Sequence, residues 1–203
     1  ELLALSYPIR MIPFPKEMIR NLLNAADGRT EGFAQLVQDF CDIVNPVLDE
    51  TGWRRRFFAK LCSRSPKDYL DTESGGVRPL SNALQLLDAL RSSMRCFDDM
   101  CDLVHLDCAY IVLRPFIDFE PWREWRAFVK DGCVVGISQY HYTHCFPELQ
   151  GDLTDTQMVM EGFLNHDVIP RFPLGNFIAD IIMDKRDNIM MPVLLEINPW
   201  GNS

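Results

Sequence analysis

Nowhere in its 203 residues does this chain reach the roughly 18 consecutive apolar residues that a membrane-crossing helix needs, so no transmembrane helix is expected. A basic surplus is missing as well: 20 Lys and Arg stand against 29 Asp and Glu, a net charge of −9. Gripping a phosphate backbone takes a basic face, so neither nucleic acid nor a membrane surface is expected as the main partner. The acidity suits a basic protein partner or simply solubility. The seven cysteines (Cys41, Cys62, Cys96, Cys101, Cys108, Cys133 and Cys145) contain no Cys-x-x-Cys pair. An odd, scattered set reads as reduced thiols of a cytoplasmic protein, and a structural zinc is not expected. The closest approach to one, His141-Tyr-Thr-His144-Cys145, lacks a second ligand cluster, and the four histidines suggest no triad with a Ser and an acid. Internal repeats, low-complexity tracts and a signal-peptide pattern are also missing. The chain opens on Glu1 without a Met and stops at Ser203 just past its best motif, so both ends are expected to be trimmed.

What is present is a hydrophobic share of 47%, enough for one good core or two small lobes. Ile9-Arg-Met-Ile-Pro-Phe-Pro15 reads as an extended entry. Apolar residues at helical spacing predict helices over Lys16–Ala26, Phe33–Leu48, Leu80–Phe97 and Thr154–Ile169. Strands are predicted over Arg56–Leu61, Cys108–Phe116, Trp125–Lys130 and Cys133–Gln139, the last two joined by the hairpin signal Asp131-Gly132. Asp71–Arg78 is a Gly- and Ser-containing connector. Helices first and an antiparallel sheet after them give an α+β class with a cleft, divided into lobes 1–107 and 108–203.

The chemistry gathers at the carboxyl end. Pro192-Val-Leu-Leu-Glu196-Ile-Asn198-Pro199-Trp200 delivers a carboxylate and, two residues on, an amide. Strand alternation puts Glu196 and Asn198 on one face, where two oxygen donors suit a hard cation such as Mg²⁺. Upstream, Phe177-Ile-Ala-Asp180-Ile-Ile-Met183 is an apolar run with one acid in it, and the turn-rich Asp184–Asn188 makes the pair a hairpin. A lone Asp inside an apolar strand is costly without a partner, and a metal shared with Glu196 is the economical one. Arg114, Glu124 and Arg126 add charge to neighbouring strands, so cations and acids on one face would suit a triphosphate with Mg²⁺. The plain alternative is a set of ion pairs, Glu124 with Arg126 or Arg114 with Asp118, on a solvated sheet face.

Several blocks in one order resemble the cell division cycle protein 123 family. They are Phe58-Ala-Lys60-Leu with Ser65-Pro66-Lys67-Asp68, Tyr110-Ile-Val-Leu-Arg114, Glu124-Trp-Arg126-Ala-Phe-Val-Lys130, Gly136-Ile-Ser-Gln139, Phe177-Ile-Ala-Asp180 and Leu195-Glu196-Ile-Asn198-Pro199-Trp200. The resemblance implies an ATP-grasp-like fold, a small helical amino-terminal lobe and an antiparallel-sheet lobe with the ATP cleft between them. It implies that Lys60, Ser65 and Lys67 reach the phosphates and that Ile111, Val112 and Leu113 form an adenine hinge through main-chain groups and apolar contact. It further implies that Arg114 and Arg126 neutralise phosphate, that Glu124 orients an arginine or faces the ribose, and that Asp180, Glu196 and Asn198 hold Mg²⁺. Departures from the family pattern are Lys67 for Arg, Ala59 for Pro, Glu196 for a frequent Asp, and the absence of an acidic insertion and of a carboxyl-terminal tail. Lys67 weakens a bidentate phosphate contact to a point charge.

Three functions are compatible with the resemblance. The first is a monomeric, ATP-binding assembly chaperone that binds the gamma subunit of translation initiation factor 2. The second is a ligase forming an acyl phosphate, in which Arg126 would be the catalytic residue steadying the transferred phosphoryl. The third is a nucleotide-binding protein without turnover.

Overall fold

The computed structural model describes residues 2–26, 32–62, 64–69, 78–151, 153–187 and 189–200. The expected connector at 71–77, and Ser63 and Asn188 of the expected loops, lie outside these residues. The chain divides into two compact units, Ile9–Ile117 and Glu1–Pro8 with Asp118–Ser203.

In the first unit β1 (Arg10–Pro13), β2 (Phe57–Leu61) and β3 (Tyr110–Pro115) form an antiparallel sheet in the order β1-β3-β2. Helices α1 (Lys16–Ala26), α2 (Phe33–Thr51), α3 (Ala83–Ser92) and α4 (Met94–Leu103) pack with it around Ile19, Leu22, Phe40, Leu48, Leu86, Leu90, Ile111 and Leu113. β3 belongs to this unit because both of its neighbours lie there, so residues 108–117 do not go with the later strands as the expected boundary had them. α2 stops at Gly52, whose φ of 71° is left-handed and lets its N–H reach the Leu48 and Asp49 carbonyls.

The single helix expected over Leu80–Phe97 is two. Ser93 is extended (φ −85°, ψ 116°), ends α3, and caps α4 by accepting from the Cys96 N–H at 3.0 Å. Helical periodicity continues across such a break, because the two apolar stripes stay in step; the hydroxyl at the cap decides it.

The second unit holds the antiparallel sheet β5-β4-β6-β7, built from β4 (Glu124–Lys130), β5 (Cys133–Gln139), β6 (Phe177–Arg186) and β7 (Ile189–Pro199). The β4–β5 turn has positive φ at Asp131 (51°) and Gly132 (72°), as a two-residue hairpin of this hand requires. One face packs on α5 (Leu153–Phe163) and the turns after it, through Ala127, Val129, Leu164, Val168, Phe177 and Ile181. Where one helix was expected over Thr154–Ile169, α5 widens into a π turn at Leu164–Val168 and tightens into a 3₁₀ turn at Ile169–Arg171. The wide turn keeps both Leu164 and Val168 buried, and Pro170 ends the regular helix just beyond.

The hairpin β6–β7 is broken at one point. Asp180 pairs with Glu196 but Ile181 pairs with Leu194, so Leu195 is a bulge. Leu194 therefore faces the core while Glu196, two residues later, faces the other side.

Candidate functional site

β4 alternates cleanly, with Trp125, Ala127 and Val129 buried and Glu124, Arg126 and Phe128 half-buried on the opposite face. Asp180 lies across from Arg126 on the central strand β6, and Glu196 lies across from Asp180 on β7. Asp180 is 3% exposed. Arg126 grips it with a fork, Nε to Oδ1 at 2.7 Å and Nη2 to Oδ2 at 3.0 Å, and Asn198 Nδ2 donates to Oδ2 at 3.1 Å. The guanidinium carbon of Arg126 also stands 4.9 Å from the centre of the Tyr140 ring. The hydrogen bond to Asp180 raises the pKa of Arg126 above the usual arginine value, with burial opposing it and Asp180, Tyr140 and Glu196 adding charge stabilisation. His141 Nε2 lies 3.5 Å from Glu124 Oε2, and Trp200 meets Phe128 edge-on at 6.4 Å on the same face.

The sequence suggests that Arg114, Glu124 and Arg126 share a face with Asp180, Glu196 and Asn198; the pairing gathers Glu124, Arg126, Asp180, Glu196 and Asn198 on one face, but Arg114 lies on β3 of the other sheet. The structure also differs over who satisfies Asp180: the partners are an arginine and an amide of the same chain, since a planar fork matches a carboxylate two bonds at a time. Arg126 pairs with Asp180 across the ladder. Among the described residues no three His, Cys, Asp or Glu side chains gather as a metal cage. Two carboxylates and an amide oxygen still make a hard donor set. It is too small to enclose an ion and fits Mg²⁺ that keeps waters and phosphate oxygens as its other ligands.

The remaining expected residues lie in the unit Ile9–Ile117. Lys60 pairs with Val112 and Phe58 with Arg114, so these four share one face of the three-stranded sheet. The Arg114 guanidinium carbon is 4.6 Å from the Phe58 ring centre. Ile111 and Leu113 point the other way and are 1% and 0% exposed in the core. A main-chain hinge at Ile111–Leu113 meets a physical obstacle, because β3 is the central strand. Ile111, Val112 and Leu113 pair with Ile12, Met11 and Arg10 on one side and with Leu61, Lys60 and Ala59 on the other. Their backbone groups already serve two ladders.

Ser65 is buried, and Lys67 is half-buried and donates its N–H to the Ser65 carbonyl at 2.8 Å. The next residue, Asp68, received no role from the sequence. Its carboxylate accepts from Ser93 Oγ at 2.5 Å and from the Arg95 N–H at 3.2 Å. Tyr140, beneath Arg126, was missed too. An aromatic straight after a strand end is a signal too common to select it.

The D123 family profile matches residues 57–203. The chain belongs to the D123 family. Family relatives include a protein of Kluyveromyces lactis named translation initiation factor eIF2 assembly protein, 33% identical over 190 residues, covering 87% of this chain and 50% of that protein. A protein of the same name from Vanderwaltozyma polyspora is 31% identical over 91 residues, 45% of this chain and 24% of that one. The chain thus spans at most about half the length of these relatives. Cdc123 from Schizosaccharomyces pombe shares the fold with a TM-score of 0.74 at 18% identity, over 97% of this chain and 80% of that one.

Proposed function

We propose that this D123 chain binds Mg-ATP and acts in the cytoplasm as a monomeric assembly factor for translation initiation factor 2, docking on its gamma subunit. The observation that carries the nucleotide reading is the buried carboxylate of Asp180, held by an arginine fork beside a second carboxylate and an amide. The assembly reading is supported by family membership and by the names of the relatives.

Asp180, Glu196 and Asn198 are the residues that would hold Mg²⁺, which supplies charge neutralisation to the phosphates when bound. Arg126, whose guanidinium forks onto Asp180, has the planar shape that also matches phosphate oxygens and would neutralise phosphate beside the metal. Glu124, two residues away on the same face, would orient an arginine or face the ribose. Within Ile9–Ile117 the proposed phosphate ligands are Lys60, Ser65, Lys67 and Arg114, and Val112 is the proposed apolar contact for a base, backed by Ile111 and Leu113 in the core.

Calorimetric titration with ATP, with and without Mg²⁺, tests the nucleotide half. Binding should require the metal and weaken about tenfold or more in Asp180→Ala, the scale of one lost charge-assisted interaction. A folded wild-type protein that binds no Mg-ATP would refute it. The assembly half is tested by capture of the gamma subunit with and without Mg-ATP; intact nucleotide binding without capture would remove that half alone.

A further inference from the structure

The segment Arg64–Tyr69 has little regular structure, yet it is fixed at both ends. At its entry Leu61 N–H donates to the Arg64 carbonyl at 2.7 Å, and within it Tyr69 N–H donates to the Pro66 carbonyl at 3.0 Å. Toward the helices, Tyr69 Oη donates to Asp88 Oδ2 of α3 at 3.0 Å. The Asp68 carboxylate crosses 25 residues of sequence to accept from Ser93 Oγ, and its second oxygen takes the Arg95 N–H. Ser93 is the break between α3 and α4 and, at 1% exposure, one of the few buried polar residues. Its hydroxyl works in both directions, accepting from Cys96 N–H and donating to Asp68. The carboxylate also sits at the first turn of a ten-residue helix, where a negative charge is favoured.

We infer that Asp68 is a positioning residue for nucleotide phosphates: pinned to the α3–α4 break, it sets the conformation of the turn that presents Ser65 and Lys67. The inference rests on the proposed Mg-ATP reading. A turn of irregular backbone can place a lysine reproducibly only if something other than a ladder restrains it, and here two side chains reach different helices to do so. Lys67 follows from this as well. A lysine offers a point charge without the directional fork of arginine, so its contribution depends on the backbone that carries it.

The distinguishing measurement is affinity for ATP against AMP, in Mg²⁺, by calorimetry, for wild type, Asp68→Ala, Ser93→Ala, Lys67→Ala and the double variant Asp68→Ala/Lys67→Ala. Thermal melts run alongside. Asp68→Ala should weaken ATP about tenfold, the scale of one hydrogen bond to a charge, and leave AMP within about twofold. Ser93→Ala, which keeps the carboxylate, should give a smaller loss in the same direction and covers the case in which Asp68→Ala does not fold. Adding Lys67→Ala to Asp68→Ala should cost little more, because the lysine is no longer held in place. Equal losses for ATP and AMP, or an unchanged ATP affinity in a folded variant, would overturn the positioning role. Wild type that binds neither nucleotide would instead overturn the Mg-ATP reading and take the positioning role with it.

Discussion

Asp180 occupies the middle of a sheet at a depth where an unpartnered carboxylate is expensive, and two neighbours on the same chain relieve it. Removing one member of such a pair leaves the other charge buried, so Arg126→Met should destabilise the fold by about 3 kcal/mol in urea unfolding. Asp180→Asn in the same background should recover part of that loss, since the stranded charge is gone. Asp68 carries a different signature. Burial pushes its carboxyl up, but the hydrogen bonds from Ser93 and from the Arg95 and Met94 N–H groups outweigh it and hold the pKa below the usual aspartate value. A carboxylate depressed in the folded state adds stability above its unfolded pKa and loses it as pH falls through the folded one. The stability gap between wild type and Asp68→Asn should therefore be full at pH 7 and close below about pH 4, in urea melts across that range.

At the scale of elements, caps explain both what the pattern of apolar residues reveals and what it hides. α1 and β5 have the bounds that spacing predicts, and the Asp131-Gly132 turn is where the dipeptide puts it. The Ser93 break, the π turn and the Leu195 bulge were not legible. Each inserts or redirects one residue without altering the count of apolar positions around it. Asn82 caps α3 by accepting from the Gln85 N–H at 2.9 Å, while Gln85 Oε1 accepts from the Ser81 N–H at 2.8 Å. Asn82→Ala should cost about 1 kcal/mol of stability in denaturant unfolding, with no effect on nucleotide affinity. The placement of the candidate residues was legible only in part, for a related reason. A charged residue inside an apolar strand marks itself, so Asp180, Glu196 and Arg126 could be named in advance. Which side chain satisfies Asp180 depends on cross-strand register, and a hinge built from main-chain groups leaves no mark that would reveal a central strand.

For the molecule as a whole, each unit carries its own core, and the expected site residues fall into a set within each. The cysteines offer a reading of that packing. Cys62, Cys101, Cys108, Cys133 and Cys145 are exposed, Cys41 is half-buried, and Cys96 is fully buried with its thiol pushed up to about 11, chiefly by burial. A thiol-reactive dye at pH 7–8 should label the five exposed residues first and Cys41 more slowly. Cys96 should react only once the chain is unfolded, as peptide mapping of the labelled protein would show. The family could be read from the order of short blocks across most of the chain, whereas partner and turnover have no comparable local chemistry.

The bulge at Leu195 gives β7 one position at which a change of length is tolerable. On either side of it β7 obeys opposite rules of address, with Leu194 sent to the core and Glu196 to the polar face. Another apolar residue at 195 leaves both addresses intact. Deleting Leu195 leaves them intact too, because Leu194 and Glu196 become neighbours and ordinary alternation sends neighbours to opposite faces, whereas losing a paired residue slips the ladder and turns side chains over. In a survey of single-residue deletions along β7, position 195 should be the mildest. Deletion of Ile197, which stands between the paired Glu196 and Asn198, should by contrast be as damaging as loss of Asp180, although its side chain offers no ligand atom.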